Sequence, residues 1–174
     1  MTRPVTGPAM QGDYRPDAIL AVLHRHEVRY VLIGGFAAVL RGSAVPTYDI
    51  DIVPEPSAEN LARLSAALRD LDARVRVDGI PGGLAFDHDA DSLAQLSVLN
   101  LVTSAGDLDV ALRPTGLSDF AAWDRGATDI VVLGVPTRLA ALDDVIRSKE
   151  AAGRDKDLLA LPMLRTLAER LRRD

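Results

Sequence analysis

The sequence predicts an α/β fold with a mixed β-sheet, flanking helices and a C-terminal helical segment, and three observations carry that prediction. Short β-branched and apolar runs alternate along the chain with stretches whose leucines recur at helical spacing. Two of the runs, Leu96 to Val102 and Leu108 to Leu112, flank the turn Thr103 to Gly106, a hairpin signal that brings antiparallel pairing into the sheet. From Leu142 onward the pattern is helical. A chain of 174 residues can bury a sizeable core, and with 48% apolar but only 4% aromatic residues that core must be aliphatic.

Residues 1–12 are rich in Pro, Gly and Thr and are expected to be disordered. A first helix is expected over Arg15 to Glu27, with Asp13 as its N-cap and Pro16 in its first turn. Val28 to Ile33 reads as a buried strand that stops at Gly34-Gly35, and the glycines open a short helix from Phe36 to Leu40. Asp49 to Val53 is the next strand. After Pro54-Glu55-Pro56, Ser57 caps a helix whose inner face is Leu61, Leu64, Leu68 and Leu71. Arg74 to Val77 alternates as a short strand, and residues 79–95 read as an irregular connection. The hairpin follows, then a short amphipathic helix over Ser118 to Trp123 and a strand over Ile130 to Leu133 with a turn at Gly134. Leu142 to Ala152 is a helix that Gly153 stops, and a second one over Lys156 to Arg173 contains Pro162, which should kink or divide it. The expected organisation is a core over residues 13–140 with the helical segment 141–174 packed on it.

Composition removes several classes of function. There is no cysteine, hence no disulfide, thiolate metal site or cysteine nucleophile. The opening residues lack an apolar signal region, and the longest nearly unbroken apolar run, Tyr30 to Leu40, is too short to span a bilayer. A soluble cytoplasmic protein without a membrane partner is expected. Net charge is −5 but uneven: residues 1–146 carry −8 and residues 147–174 carry +3. A basic tail on an acidic body suits a polyanion held at one place, although a solvated helix end explains the same excess.

The chemistry concentrates between Tyr30 and Pro54. Side chains two apart on a strand share a face, so Asp49 and Asp51 present two carboxylates together, an arrangement that calls for a divalent cation. The Gly34-Gly35 turn lets backbone amides approach a phosphate, with a helix N-terminus behind them. Asp107 and Asp109 repeat the two-residue spacing on a later strand, and one of them fits as the third acid of a two-metal phosphoryl or nucleotidyl transfer. Other features carry less. Asp87-His88-Asp89-Ala90-Asp91 alternates like a calcium loop but has Ser92 and Val98 where a glycine and a glutamate are required. His24, His26 and His88 read as surface residues, Trp123 as core, and Arg165, Arg170, Arg172 and Arg173 as a solvated helix end unless that helix lines the cleft.

These blocks resemble the polymerase-beta type nucleotidyltransferase superfamily, and more closely its minimal bacterial members related to the AbiEii-like toxins of type IV toxin-antitoxin systems. The resemblance spans roughly residues 28–165. It rests on Gly34-Gly35 with Ala37, Thr47 and the Asp49-x-Asp51 pair, on Gly106-Asp107-Leu108-Asp109, and on the block from Ser148 to Asp157. It implies that Asp49, Asp51 and Asp109 hold Mg²⁺, or Mn²⁺ in its place, with Asp109 as the third acid and general base. It implies too that Gly34, Gly35 and Thr47 belong to the site of an NTP co-substrate. Lys149 then contacts the donor phosphate together with Arg154, and Asp157 supports the site. The implied acceptor is a tRNA 3′ end and the implied partner a separately encoded antitoxin; a protein or antibiotic hydroxyl is the alternative acceptor, and an inactive nucleotide-binding or protein-interaction module the alternative to catalysis. The chain departs from the family at Gly35, where many members carry serine, and at Val45, where relatives often carry arginine. Arg41 or Ser43 is the expected substitute in nucleotide binding.

Overall fold

The computed structural model describes residues 13–174, and the disorder expected for residues 1–12 lies outside them. In chain order the elements are α1 (Pro16–Arg25), β1 (Tyr30–Ile33), α2 (Gly34–Leu40), β2 (Asp49–Pro54), α3 (Ala58–Asp70), β3 (Arg74–Val77), β4 (Ile80–Leu84), α4 (Ala90–Ala94), β5 (Val98–Thr103), β6 (Gly106–Ala111), α5 (Phe120–Gly126), β7 (Thr128–Val132), β8 (Val135–Leu139), α6 (Leu142–Ala152) and α7 (Asp155–Leu171). The strands form one sheet in the order β4-β3-β5-β6-β2-β1-β8-β7. It is mixed, as expected: β2 runs parallel to β6 and β1 parallel to β8, and the remaining neighbours are antiparallel.

The centre of the sheet is aliphatic because its strands are packed from the helical layers. All four residues of β1 are buried, and Ile50, Ile52, Leu108 and Val110 are fully inaccessible. Ile19, Leu20 and Leu23 of α1 and Leu61, Leu64 and Leu68 of α3 join them in one core, with Trp123 of α5 wholly buried. The Ser57 cap forms as expected, its hydroxyl accepting from the Asn60 amide. Asn60 is itself buried and bonds the Arg29 amide, the Arg29 carbonyl and the Glu55 carbonyl, which ties the start of α3 to the edge of β1. Among the described residues no helix is long and apolar enough to cross a membrane.

Several local expectations are corrected. Arg15 rather than Asp13 stands at the N-cap of α1 and makes no side-chain cap bond, while Pro16 occupies the first turn. Residues 79–95 are not irregular, because Asp78-Gly79 turns β3 back into β4 and Asp89 caps α4 in a reciprocal pair with Ser92. That capping role accounts for Asp89 within the acidic alternation at 87–91. The strand after Gly134 was not expected: Leu133 and Gly134 both take positive φ, 50° and 82°, the two-residue hairpin turn that pairs β7 with β8. Helix α7 passes through Pro162 undivided, since Leu161, Leu164, Leu167 and Ala168 are buried on one side and packing outweighs the lost backbone bond. His26 and His88 are partly exposed, and each has a partner: His26 lies 2.6 Å from Asp70 and His88 lies 2.7 Å from the Ser65 hydroxyl.

Candidate active site

Strands β2 and β6 are paired in parallel with Asp49 beside Asp107 and Asp51 beside Asp109. Since Ile50, Ile52, Leu108 and Val110 take the buried face, strand alternation sends all four carboxylates to the other one. Oxygens of Asp49, Asp51 and Asp109 lie within 4.8 Å of one another. The expected third acid therefore joins the pair. Such a set of hard oxygen donors suits an oxygen-preferring divalent cation such as Mg²⁺ or Mn²⁺. The cost of the arrangement falls on Asp51, whose carboxyl is pushed up to about 7 by burial and by the charges of Asp49 and Asp109, with Lys149 and Lys156 pulling the other way. Asp109 is raised to about 6 by burial and by Asp49 and Asp107, against the opposing charge of Arg76.

The neighbouring elements fix these groups. Thr47 donates its hydroxyl to Asp49 Oδ1 at 2.9 Å, and the Tyr14 hydroxyl donates to the Asp49 carbonyl at 3.2 Å. Gly34 sits at the junction of β1 and α2 with φ +70°, and a Cβ there would land on the Asp51 carboxylate, 2.7 Å from its Cγ. Only glycine fits both the backbone and the space. Gly34→Ala is expected to destabilise the protein by at least about 1–2 kcal/mol from the left-handed backbone alone, measured by urea unfolding, and to displace Asp51.

The helical segment closes the other side. Gly153, with φ +61°, ends α6 and turns the chain into α7, so that Lys149, Arg154 and Asp157 converge. Asp157 is fully buried and takes Lys149 Nζ at 3.3 Å and Arg154 Nε at 2.6 Å. Burial alone would raise its carboxyl, but the Arg154 hydrogen bond and the Lys149 charge win and hold it below the usual range. A cavity of about 760 Å³ lies between the two sides and is lined by the acids, Gly34, Gly35, Ser43, Thr47 and the Lys149, Arg154, Asp157 group. Its volume is within the range of small-molecule sites.

No protein-family model matches the sequence, and no curated protein matches it. Solved structures do resemble the fold. The lincosamide antibiotic adenylyltransferase LnuA, in its lincomycin-bound form, shares 17% identity over 86% of this chain and 94% of its own, with a TM-score of 0.55. The antibiotic-resistance factor ANT(2″)-Ia, in complex with adenylyl-2″-tobramycin, shares 18% over 85% of this chain and 84% of its own, with a TM-score of 0.53. The fold is the nucleotidyltransferase fold.

Within this nucleotidyltransferase fold the residues expected to hold metal and nucleotide, apart from Arg41, line the cavity. Ser43 is buried there and its hydroxyl accepts from the Val45 amide, shaping the loop after α2. Arg41 is the exception and corrects its expected nucleotide-binding place. Its guanidinium is spent on structure, donating to the Ala140 and Leu139 carbonyls and to the Thr128 hydroxyl, and it is absent from the cavity wall. Arg41→Ala is therefore expected to lower the melting temperature while leaving nucleotide affinity, read by titration calorimetry, unchanged. The arginines of the tail lie outside the wall too: Arg165 pairs with Glu150 and Arg172 with Asp143. Sequence reasoning missed Arg76 and Tyr14. Arg76 Nη2 donates to Asp109 Oδ1 at 3.0 Å and its Nε is 3.4 Å from Asp107 Oδ2. Its alternation in Arg74-Val75-Arg76-Val77 marked a strand, but a contact reaching across β5 has no local signature.

Proposed function

We propose that this protein is a Mg²⁺-dependent nucleotidyltransferase that moves NMP from an NTP to an acceptor hydroxyl. The observation that carries the reading is the meeting of Asp49, Asp51 and Asp109 within 4.8 Å on the wall of a cavity that Gly34, Gly35 and Lys149 also line. Asp49, Asp51 and Asp109 would hold the metal, which supplies charge neutralisation at the phosphates and polarises the reacting phosphoryl group. The residues of the chain do the rest. Gly34 and Gly35 let the triphosphate approach the start of α2, and Lys149 and Arg154 balance its charge. Asp109 accepts the proton of the acceptor hydroxyl, whose oxygen forms a bond to the α-phosphorus as the bond to pyrophosphate breaks. Asp157 keeps Lys149 aimed into the cavity.

For the acceptor we propose a tRNA 3′ end, by resemblance to the toxin relatives, in a cytoplasmic protein whose partner is a cognate antitoxin. A second reading, transfer to a small antibiotic hydroxyl, is favoured by the pairing of Arg165 and Arg172 with acids, which leaves less free positive charge for a nucleic acid. The names of the two solved relatives are compatible with it. Incubation with each labelled NTP and Mg²⁺, with total tRNA in one arm and an aminoglycoside and lincosamide panel in another, separates these. Label in tRNA that disappears in Asp51→Ala supports the first reading, and label in an antibiotic the second. Label in protein points to a protein hydroxyl. No transfer in any arm, with no metal-dependent NTP binding, overturns the enzyme and leaves an interaction module.

A further inference from the structure

We infer that Arg76 is a positioning residue for Asp109: its guanidinium fixes one oxygen of that carboxylate so that the other is presented to the cleft. The inference rests on the transferase reading above and adds to it a group outside the cavity wall. Arg76 lies on β3, with all of β5 between it and β6. The pairing of Val75 with Leu101, continued by one residue, sets Arg76 alongside Asn100, and Asn100 pairs in turn with Asp109 and Asp109 with Asp51. One row of side chains thus crosses four strands. At this point β4 is irregular: between the pairs Val75 with Leu84 and Val77 with Ile80, the residues Pro81, Gly82 and Gly83 oppose Arg76 alone. Gly82 and Gly83 take positive φ of 77° and 70°, and a Cβ on Gly83 would collide with the Val75 carbonyl. A bulge of this kind re-aims the side chain opposite it, and glycines bring nothing that competes for the guanidinium.

The guanidinium is itself anchored. Its Nη2 donates to the Leu101 carbonyl at 3.2 Å as well as to Asp109 Oδ1 at 3.0 Å, and its Nε faces Asp107 Oδ2 at 3.4 Å. The plane of the Asp109 carboxylate is therefore set by the backbone of β5 through a charge-assisted bond. Without Arg76, Asp109 loses its aim, and the acids around it repel one another more strongly. Attraction for a divalent cation is then retained or increased while catalysis falls. A side chain that served only to hold the sheet together would lose both.

The test compares wild type, Arg76→Ala and Arg76→Lys by steady-state transfer kinetics and by calorimetric Mn²⁺ binding without nucleotide, with folding checked by circular dichroism. Arg76→Ala is expected to lower kcat by about 10–100-fold, with KM for the NTP unchanged and Mn²⁺ affinity retained or tighter. Arg76→Lys restores the charge without the planar fork and is expected to recover only part of kcat. Wild-type kcat in a folded Arg76→Ala overturns the role, as does a parallel loss of kcat and Mn²⁺ affinity. Should Arg76→Ala fail to fold, wild-type kcat in Arg76→Lys overturns it. Absence of transfer by the wild-type protein is a different outcome, since it removes the transferase reading and the Arg76 role with it.

Discussion

Asp51→Asn is expected to abolish transfer, by about 10³-fold or more, and at the same time to raise the thermal stability of the metal-free protein. Both effects have one cause. Asp51 is held against Asp49 and Asp109 with little water to screen it, and its carboxyl is raised to about 7. A carboxyl whose folded value lies above its unfolded value of about 4 contributes fully to stability only below the unfolded value. That contribution is lost progressively as pH rises through about 7. The asparagine variant carries no such charge, so its melting temperature should exceed wild type by a few degrees at pH 8 and converge with it near pH 4. Mg²⁺ should stabilise wild type more than the variant at pH 8. A variant that retains activity, or that is no more stable than wild type at pH 8, contradicts the metal-centred reading.

Asp157→Ala is expected to cost about 3 kcal/mol or more of stability and most of the activity. The carboxylate is fully buried, and its removal strands Lys149, whose side chain is only 18% exposed, whereas Arg154, 63% exposed, can return to water. The pH signature is opposite to that of Asp51. A carboxyl held below its usual value stabilises the fold above the unfolded value and loses that contribution as pH falls through the folded one. The stability gap between wild type and Asp157→Ala, measured by urea unfolding, should therefore be full at neutral pH and close in strong acid. Asp157→Asn, which keeps the volume and one acceptor, should recover part of the stability and less of the activity.

Much of the site was legible because its signals are local. Asp49 and Asp51 share a face by strand alternation alone, Gly34 and Gly35 mark the turn from β1 into α2, and Gly153 stops α6 at the expected residue. Other features had a local signal that went unread: Asp78-Gly79 is a two-residue hairpin turn, and Leu133-Gly134 implies a returning strand as much as an ending one. Helix α7 could not be read through Pro162, because a buried leucine face overrides the local rule only once a partner surface exists.

By itself, then, the sequence determined the mixed α/β class, the paired acids on β2 and β6 and the stop of α6 at Gly153, since each follows from periodicity or turn chemistry over a few residues; the Lys149 to Asp157 block came from the family resemblance. Only the tertiary structure decided that Arg41 is spent on the end of β8 and that Arg76 reaches Asp109 across an intervening strand. Those outcomes depend on strand register and on which long side chains find partners first. Register and partner choice are settled by the packing of the whole sheet, which no short window of sequence contains.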